Sequence, residues 1–213
     1  IVTQTGLYEN EIFDAFDASL RKLWTFRSFA ETNGSGSHHI EIADVDGDGR
    51  DEVFDGTTLL NPDGTVRWSI YREHPDIVAV KHILGHSERQ VYYAVESNTH
   101  AGAYVVDART GKLHWKVNQE DDPRWTHAHI GWAARIWNGA PGYQMLTNRD
   151  GHLAEDTVLF DSTGRILTNP FPKGWRPINW TGGEVRDLVS GDGRRLARFN
   201  DWFDRQAAGY GQV

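Results

Sequence analysis

A strand–turn–strand unit recurs along this chain of 213 residues. An apolar stretch at residues 12–16 runs through Asp17 and a turn into a second stretch at 22–26. In the same way 58–64 lead to 66–68, 104–111 to 113–115, 158–164 to 165–167, and 185–193 to 196–199. Each unit sets an Asp, Asn or Gly turn between two β-rich runs, the pattern of a hairpin. The turn residues Asp17, Asn61, Asp107 and Asp161 lie 44, 46 and 54 positions apart. A period of roughly 40–50 residues with about four strands in each is that of a propeller blade. A sandwich would show strands without a fixed repeat. Four blades and the start of a fifth are legible, and propellers close with about four to eight. The expectation is therefore all-β: a β-propeller, one domain over residues 1–213, forming part of a larger ring.

The repeat sorts the tryptophans. Trp24 and Trp68 fall seven residues after their turn residue and Trp115 eight after. A residue that recurs at one place in every unit is most simply packing between blades. Trp125, Trp132, Trp137, Trp175, Trp180 and Trp202 are off the pattern, and aromatic faces outside a core are platforms for sugar rings. Trp125 and Trp132 are the two chosen as substrate contacts.

Residues 44–52 read Asp-Val-Asp-Gly-Asp-Gly-Arg-Asp-Glu. Carboxylates this close repel unless a cation sits among them. A hard ion such as Ca²⁺ takes about six to eight oxygens, best from a loop whose alternate side chains point inward. Asp44, Asp46 and Asp48 alternate correctly, Arg50 offers its carbonyl, and Glu52 is a fifth ligand. The flanking runs at 39–43 and 52–54 read as strands rather than the two helices of an EF-hand. A calcium loop between two strands is expected, structural more than catalytic; the bland alternative is a solvated acidic turn.

Net charge is -8, which disfavours nucleic acid and anionic membranes as partners. There is no cysteine, so disulfides and thiol chemistry are out. No apolar run approaches membrane-spanning length. No signal peptide is visible, so the chain reads as cytosolic, already processed, or a piece of something larger. A calcium loop favours a secreted or periplasmic setting.

Ten histidines gather in or beside the connections between strands. His38 and His39 precede the acidic loop, His74, His82 and His86 stand in the next connection, and His100, His127 and His129 follow. His114 sits in a repeat hairpin as an outward strand residue. Any one of them is most simply a surface or structural residue. As a set they can converge on one mouth of a propeller, because equivalent loops open on the same face. A zinc hydrolase would use His127 and His129 as half a ligand set, with the other ligands unidentified. A serine triad lacks its nucleophile elbow. A carboxylate pair for glycoside hydrolysis stays open. The preferred chemistry is β-elimination on a uronic acid polymer. Removing the proton next to a carboxylate builds dianionic charge, which a cation must neutralise. One side chain takes the proton and another protonates the leaving oxygen. His38, His39, His74, His127, His129 and Arg124 are the candidates for these roles, with Arg149 on the substrate.

Several segments in order resemble the family 11 polysaccharide lyases, the rhamnogalacturonan lyases. They are 23–26, the run from Gly36 through the acidic loop to Glu52, His74-Pro75-Asp76, the hairpin from Asp107 to Trp115, 131–134 with Pro141-Gly142, and 180–188. The resemblance implies an eight-bladed, calcium-binding propeller that cleaves rhamnose–galacturonate backbones by elimination, and it adds Asp76 to the substrate-binding residues. The chain departs from the family at 81–85 and 135–139, where acid-rich loops would stand, and at His129-Ile130-Gly131, where an arginine would. A divergent member or fragment is expected, acting on an acidic polysaccharide of this kind or on another uronate polymer such as ulvan. The rival expectation is a non-catalytic calcium propeller that binds glycans or proteins.

Overall fold

The protein is described by a computed structural model over residues 1–32, 34–70, 74–150, 156–172, 174–199 and 211–212. Trp202 and most of the C-terminal tail lie outside the described residues. The chain is all-β; the described helical pieces include α1 (Ser28–Thr32) and a single 3-10 turn at Tyr8–Asn10. Strands β1 (Val2–Thr5), β2 (Ile12–Phe16) and β3 (Lys22–Arg27) form the first sheet. The second sheet holds β4 (Ile40–Ala43), β5 (Glu52–Asp55), β6 (Thr58–Leu60) and β7 (Val66–Ser69). The third holds β8 (His74–Lys81), β9 (Gln90–Glu96), β10 (Gly102–Asp107) and β11 (Leu113–Asn118). The fourth holds β12 (Gly131–Ala134), β13 (Gln144–Asn148), β14 (Thr157–Phe160) and β15 (Ile166–Thr168). The fifth holds β16 (Arg176–Ile178), β17 (Asp187–Val189), β18 (Arg195–Ala197) and β19 (Gly211–Gln212). Every pairing is antiparallel and between neighbours in sequence. No sheet closes on itself among the described residues.

The sheets stack in chain order. Phe13, Phe26, Val53 and Leu60 fill the space between the first two. Phe54, Leu59, Val91, Tyr93 and Val95 fill the next. Tyr92 and Ala94 turn the opposite way, to meet Met145, Val158 and Phe160 of the fourth sheet. Strand β9 is thus buried on both faces, which is why its sequence is a continuous apolar run rather than an alternating one. Leu146, Leu159, Phe171 and Leu188 join the fourth sheet to the fifth. The first strands also neighbour one another: β4 lies against β8, β8 against β12, and β12 against β16.

The recurring tryptophans tie this stack together. Trp24 Nε1 donates to the Pro62 carbonyl at 3.0 Å, Trp68 to Ala108 at 3.2 Å, and Trp115 to Ser162 at 2.9 Å. Each ring rests on the turn glycine of the following sheet. A Cβ at Gly64, Gly111 or Gly164 would stand within 2.9 Å of ring carbons of Trp24, Trp68 or Trp115. Their expected role as packing between repeats matches these contacts.

Candidate active site

A bulge builds the site. Along β8 the pairing with β9 slips between Pro75 and Ile77, so Asp76 is the extra residue. Bulges re-aim a side chain out of the ladder. Here the carboxylate of Asp76 is buried, at 3% exposure, and three histidines reach it. His38 Nε2 and His74 Nε2 each lie 3.4 Å from Asp76 Oδ1. His129 Nδ1 meets Oδ2. The three come from the approach to β4, the start of β8 and the approach to β12, which the packing of the first strands brings side by side.

Hydrogen bonds to carbonyls set the tautomers of two rings. A carbonyl only accepts, so His39 Nδ1–H donates to Asp76 O at 2.7 Å, and His74 Nδ1–H donates to Ser35 O at 2.8 Å. In the neutral rings this leaves each Nε2 with its lone pair. Burial opposes the charge on His74, but Asp76 and the Ser35 carbonyl outweigh it and hold the imidazolium above its usual range. His127 Nε2 is 3.3 Å from Glu96 Oε1, and its ring lies 5.3 Å from that of His129. The Tyr8 ring lies 4.5 Å from that of His74, tilted by 44°, on a left-handed backbone with φ +54°. Burial, then the negative charges of Glu96 and Asp76, push its phenol up.

Two groupings here can hold a metal ion. Asp76, Glu96, His127 and His129 present ligand atoms within 4.8 Å of one another, and so do His38, His74 and Asp76. Both oxygens of Asp76 and Nε2 of His74 are buried and face one another across the group, as atoms around an ion would. The mixed imidazole and carboxylate set suits a divalent cation. Beside it opens a cavity of about 460 Å³, walled by His39, His129, Trp132, Trp175, Arg176 and Pro177.

The acidic loop forms a separate group. Asp44, Asp46 and Asp48 bring their oxygens within 4.8 Å of one another. Hydrogen bonds from Gly47 and Gly49 hold the Asp44 carboxyl below its usual range. Glu52 does not join them. It is fully buried, accepts from the Val45 amide at 2.9 Å and meets Arg67, which also pairs with Asp46. A glutamate turned in toward an arginine is a brace of the loop rather than its fifth ligand, and no contact singles out the Arg50 carbonyl.

Three other candidates lie off the cavity wall. Trp125 is 1% exposed and stacks on Phe160, so its face is core and unavailable to a sugar. Arg149 is buried at 4% exposure between Asp122 and Asp156, and its carbonyl accepts from the Thr126 and His127 amides. It positions the histidine loop instead of meeting substrate. Arg124 grips Asp122 at 2.6 Å, outside the Asp76 group, and helps hold the Asp122 carboxyl at about 2. Trp132 does line the cavity, with its indole N–H on the Trp175 carbonyl. Among the more distant histidines, His86 pairs with Glu88, His82 meets the Glu88 carbonyl, and His114 faces outward. Glu96 and Tyr8 were missed. Glu96 carried a faint signal as the acid that ends the buried run of β9; Tyr8 carried none.

Comparison with known proteins gives the chain a family. The chain is 32% identical over 210 residues to the rhamnogalacturonan endolyase YesW of Bacillus subtilis (strain 168), covering 94% of this chain and 32% of the relative. It is 29% identical over 206 residues to the rhamnogalacturonan exolyase YesX of the same organism, covering 90% and 32%. The crystal structures of YesW and exotype YesX superpose with TM-scores of 0.77 and 0.78 at 26% identity, over all of this chain and 35% and 36% of theirs. A Bacillus licheniformis rhamnogalacturonan lyase gives 0.71 at 28% identity, over 91% of this chain and 32% of its own. The chain thus spans about a third of the length of these relatives. The model of the C-terminal domain of rhamnogalacturonan lyase family 11 matches residues 1–208, and the chain belongs to that family.

Proposed function

We infer that this chain carries the cation-binding and proton-transfer side of a polysaccharide lyase site, which cleaves a uronic-acid polymer of the rhamnogalacturonan kind by β-elimination. The observation that carries the reading is Asp76: a buried carboxylate, freed by a bulge and met by three histidines beside an open cavity. The five stacked sheets are read as blades of a larger propeller, with the first strands toward its axis. Asp76, Glu96, His127 and His129, with His38 and His74, would hold a divalent cation. When bound, that cation would supply positive charge to the uronate carboxylate, which lowers the cost of the dianion that forms as the neighbouring proton leaves. His39 presents a lone pair at Nε2 on the cavity wall and serves as the base. Tyr8, whose phenol is pushed up by burial and then by its acidic neighbours, would return a proton to the leaving oxygen. Trp132 and Arg176 offer an aromatic edge and a cation to a sugar acid. Asp44, Asp46 and Asp48 would hold a separate structural Ca²⁺, which suits a secreted or periplasmic protein.

The full-length protein should be incubated with pectic and ulvan-type polymers while the ultraviolet absorbance of the unsaturated uronate is followed. Asp76→Asn should lower kcat/KM by about 100-fold or more with the fold retained. His39→Ala should lower kcat by about 10²–10⁴. Sugar binding without any unsaturated product, or indifference to both substitutions, would remove the lyase reading and leave a binding module.

A further inference from the structure

His127 and His129 reach the Asp76 group from residues 126–130, which belong to no strand or helix. A loop of this kind holds a ring in place only if its backbone is tied to something rigid. The tie is Asn148, the last residue of β13, together with Arg149 after it. The carboxamide oxygen of Asn148 accepts from the His129 amide at 3.0 Å and from the Ile130 amide at 2.9 Å. Its nitrogen donates to the Asp150 carbonyl at 2.7 Å, which fixes the way the group faces. The Arg149 carbonyl accepts from the Thr126 and His127 amides at 2.8 and 3.1 Å. Two consecutive residues thus hold four amides of the loop, and the buried Trp125 and Ala128 pin it to the core. The anchor itself cannot follow a shift of the loop. Asn148 is fully buried, and β13 packs on both faces, Met145 with the third sheet and Leu146 with the fifth.

The other end of β13 carries the same device without a site. Gln144, its first residue, is also fully buried, and its side-chain oxygen accepts from the Ile136 amide at 2.8 Å and the Trp137 amide at 2.9 Å. Neither of those two residues offers a ligand atom. The two ends therefore match in burial and in the amides they hold. They differ in what the amides carry. At the Asn148 end the His129 ring meets Asp76 Oδ2, and His127 Nε2 lies 3.3 Å from Glu96 Oε1.

On the reading of the Asp76 group as a cation site, we propose that Asn148 is its positioning residue. It sets the His129 ring, and through the shared loop that of His127, at the spacing which brings their nitrogens to Asp76 and Glu96. Asn148 itself touches neither ion nor substrate. Groups that orient a metal's ligands are worth about 10–100-fold in its affinity.

The test uses cobalt(II) alone as the probe. Its visible absorption reports imidazole nitrogen on the ion, whereas the side chains of the acidic loop offer oxygens only. The full-length protein and its variants are titrated with cobalt, and each is unfolded in urea without metal. Asn148→Ala should weaken cobalt by about 10–100-fold. Gln144→Ala also leaves two amides without their acceptor. It should unfold earlier in urea, as Asn148→Ala does, yet bind cobalt as the parent does. Asn148→Asp keeps an acceptor for both amides and should recover most of the affinity. If Asn148→Ala does not fold, Asn148→Ser decides, since its shorter side chain cannot serve both amides; parent-like affinity there overturns the proposal. Parent-like affinity in a folded Asn148→Ala overturns it, and so does an equal loss in Gln144→Ala, which would trace the effect to stability. A parent that shows no imidazole-bound cobalt overturns the cation reading itself, and the role of Asn148 with it.

Discussion

Leu20 holds a left-handed backbone, φ +60°, at the turn where Gly64, Gly111 and Gly164 stand in the next three sheets. A Cβ in that region costs about 1–2 kcal/mol, and Leu20 is 68% exposed, so it recovers little by burial. Leu20→Gly should therefore raise stability by about 0.5 kcal/mol in urea unfolding, after the added freedom of the unfolded chain is subtracted. Asp161 shows the opposite case, a turn residue at full use. Burial alone would raise its carboxyl, but hydrogen bonds from Thr163 and Arg165 prevail and hold it below the usual range. A depressed folded value means that its stabilisation is complete above the ordinary aspartate range of about 3.9 and is lost as pH falls through the folded value. Asp161→Asn should cost about 1–2 kcal/mol at neutral pH and flatten the decline of stability on the acid side. Turn residues such as these were legible because their roles are local. The side chains of Trp125 and Arg149 were not: an apolar face and a cation look the same in sequence whether they meet a ligand or the core.

Among the elements, the repeat was the most legible feature, since each hairpin carries its own turn chemistry. The sequence also marks where the tie between sheets stops. Opposite Leu59 stands Trp68, and opposite Val105 stands Trp115, but opposite Leu159 stands Thr168. Among the described residues Gly193, in the turn of the fifth sheet, meets nothing where the other glycines meet an indole. The two glycines Gly111 and Gly193 share φ +71° and differ in their neighbours, Trp68 and Ile70 standing at Gly111. Gly111→Ala should cost about 2–3 kcal/mol, strain plus overlap with Trp68, whose indole is tied to Ala108 and cannot move aside. Gly193→Ala should cost about 1 kcal/mol, the backbone term alone. Paired urea titrations read the difference. The bulge at Asp76 was less legible, because His-Pro-Asp at a strand start reads equally as a turn; only the pairing with β9 shows the extra residue.

For the molecule as a whole, the site could not be read in one dimension. His38, Asp76, Glu96 and His129 come from three sheets, and stacking of the first strands is what brings them together. That same stacking bears on how the protein comes apart. Among the described residues the packed cores lie between sheets that are neighbours in sequence, so most contacts are local and cooperativity is graded along the stack, as in a repeat array. The third sheet has packed cores on both sides, whereas the described parts of the first and fifth have one each. Amide hydrogen exchange should then be slowest in β9 and β10 and faster by orders of magnitude in β1 and β18. Asp76 projects from β8, beside the strand packed on both faces, so the residues that hold the proposed cation keep their geometry while less enclosed strands breathe.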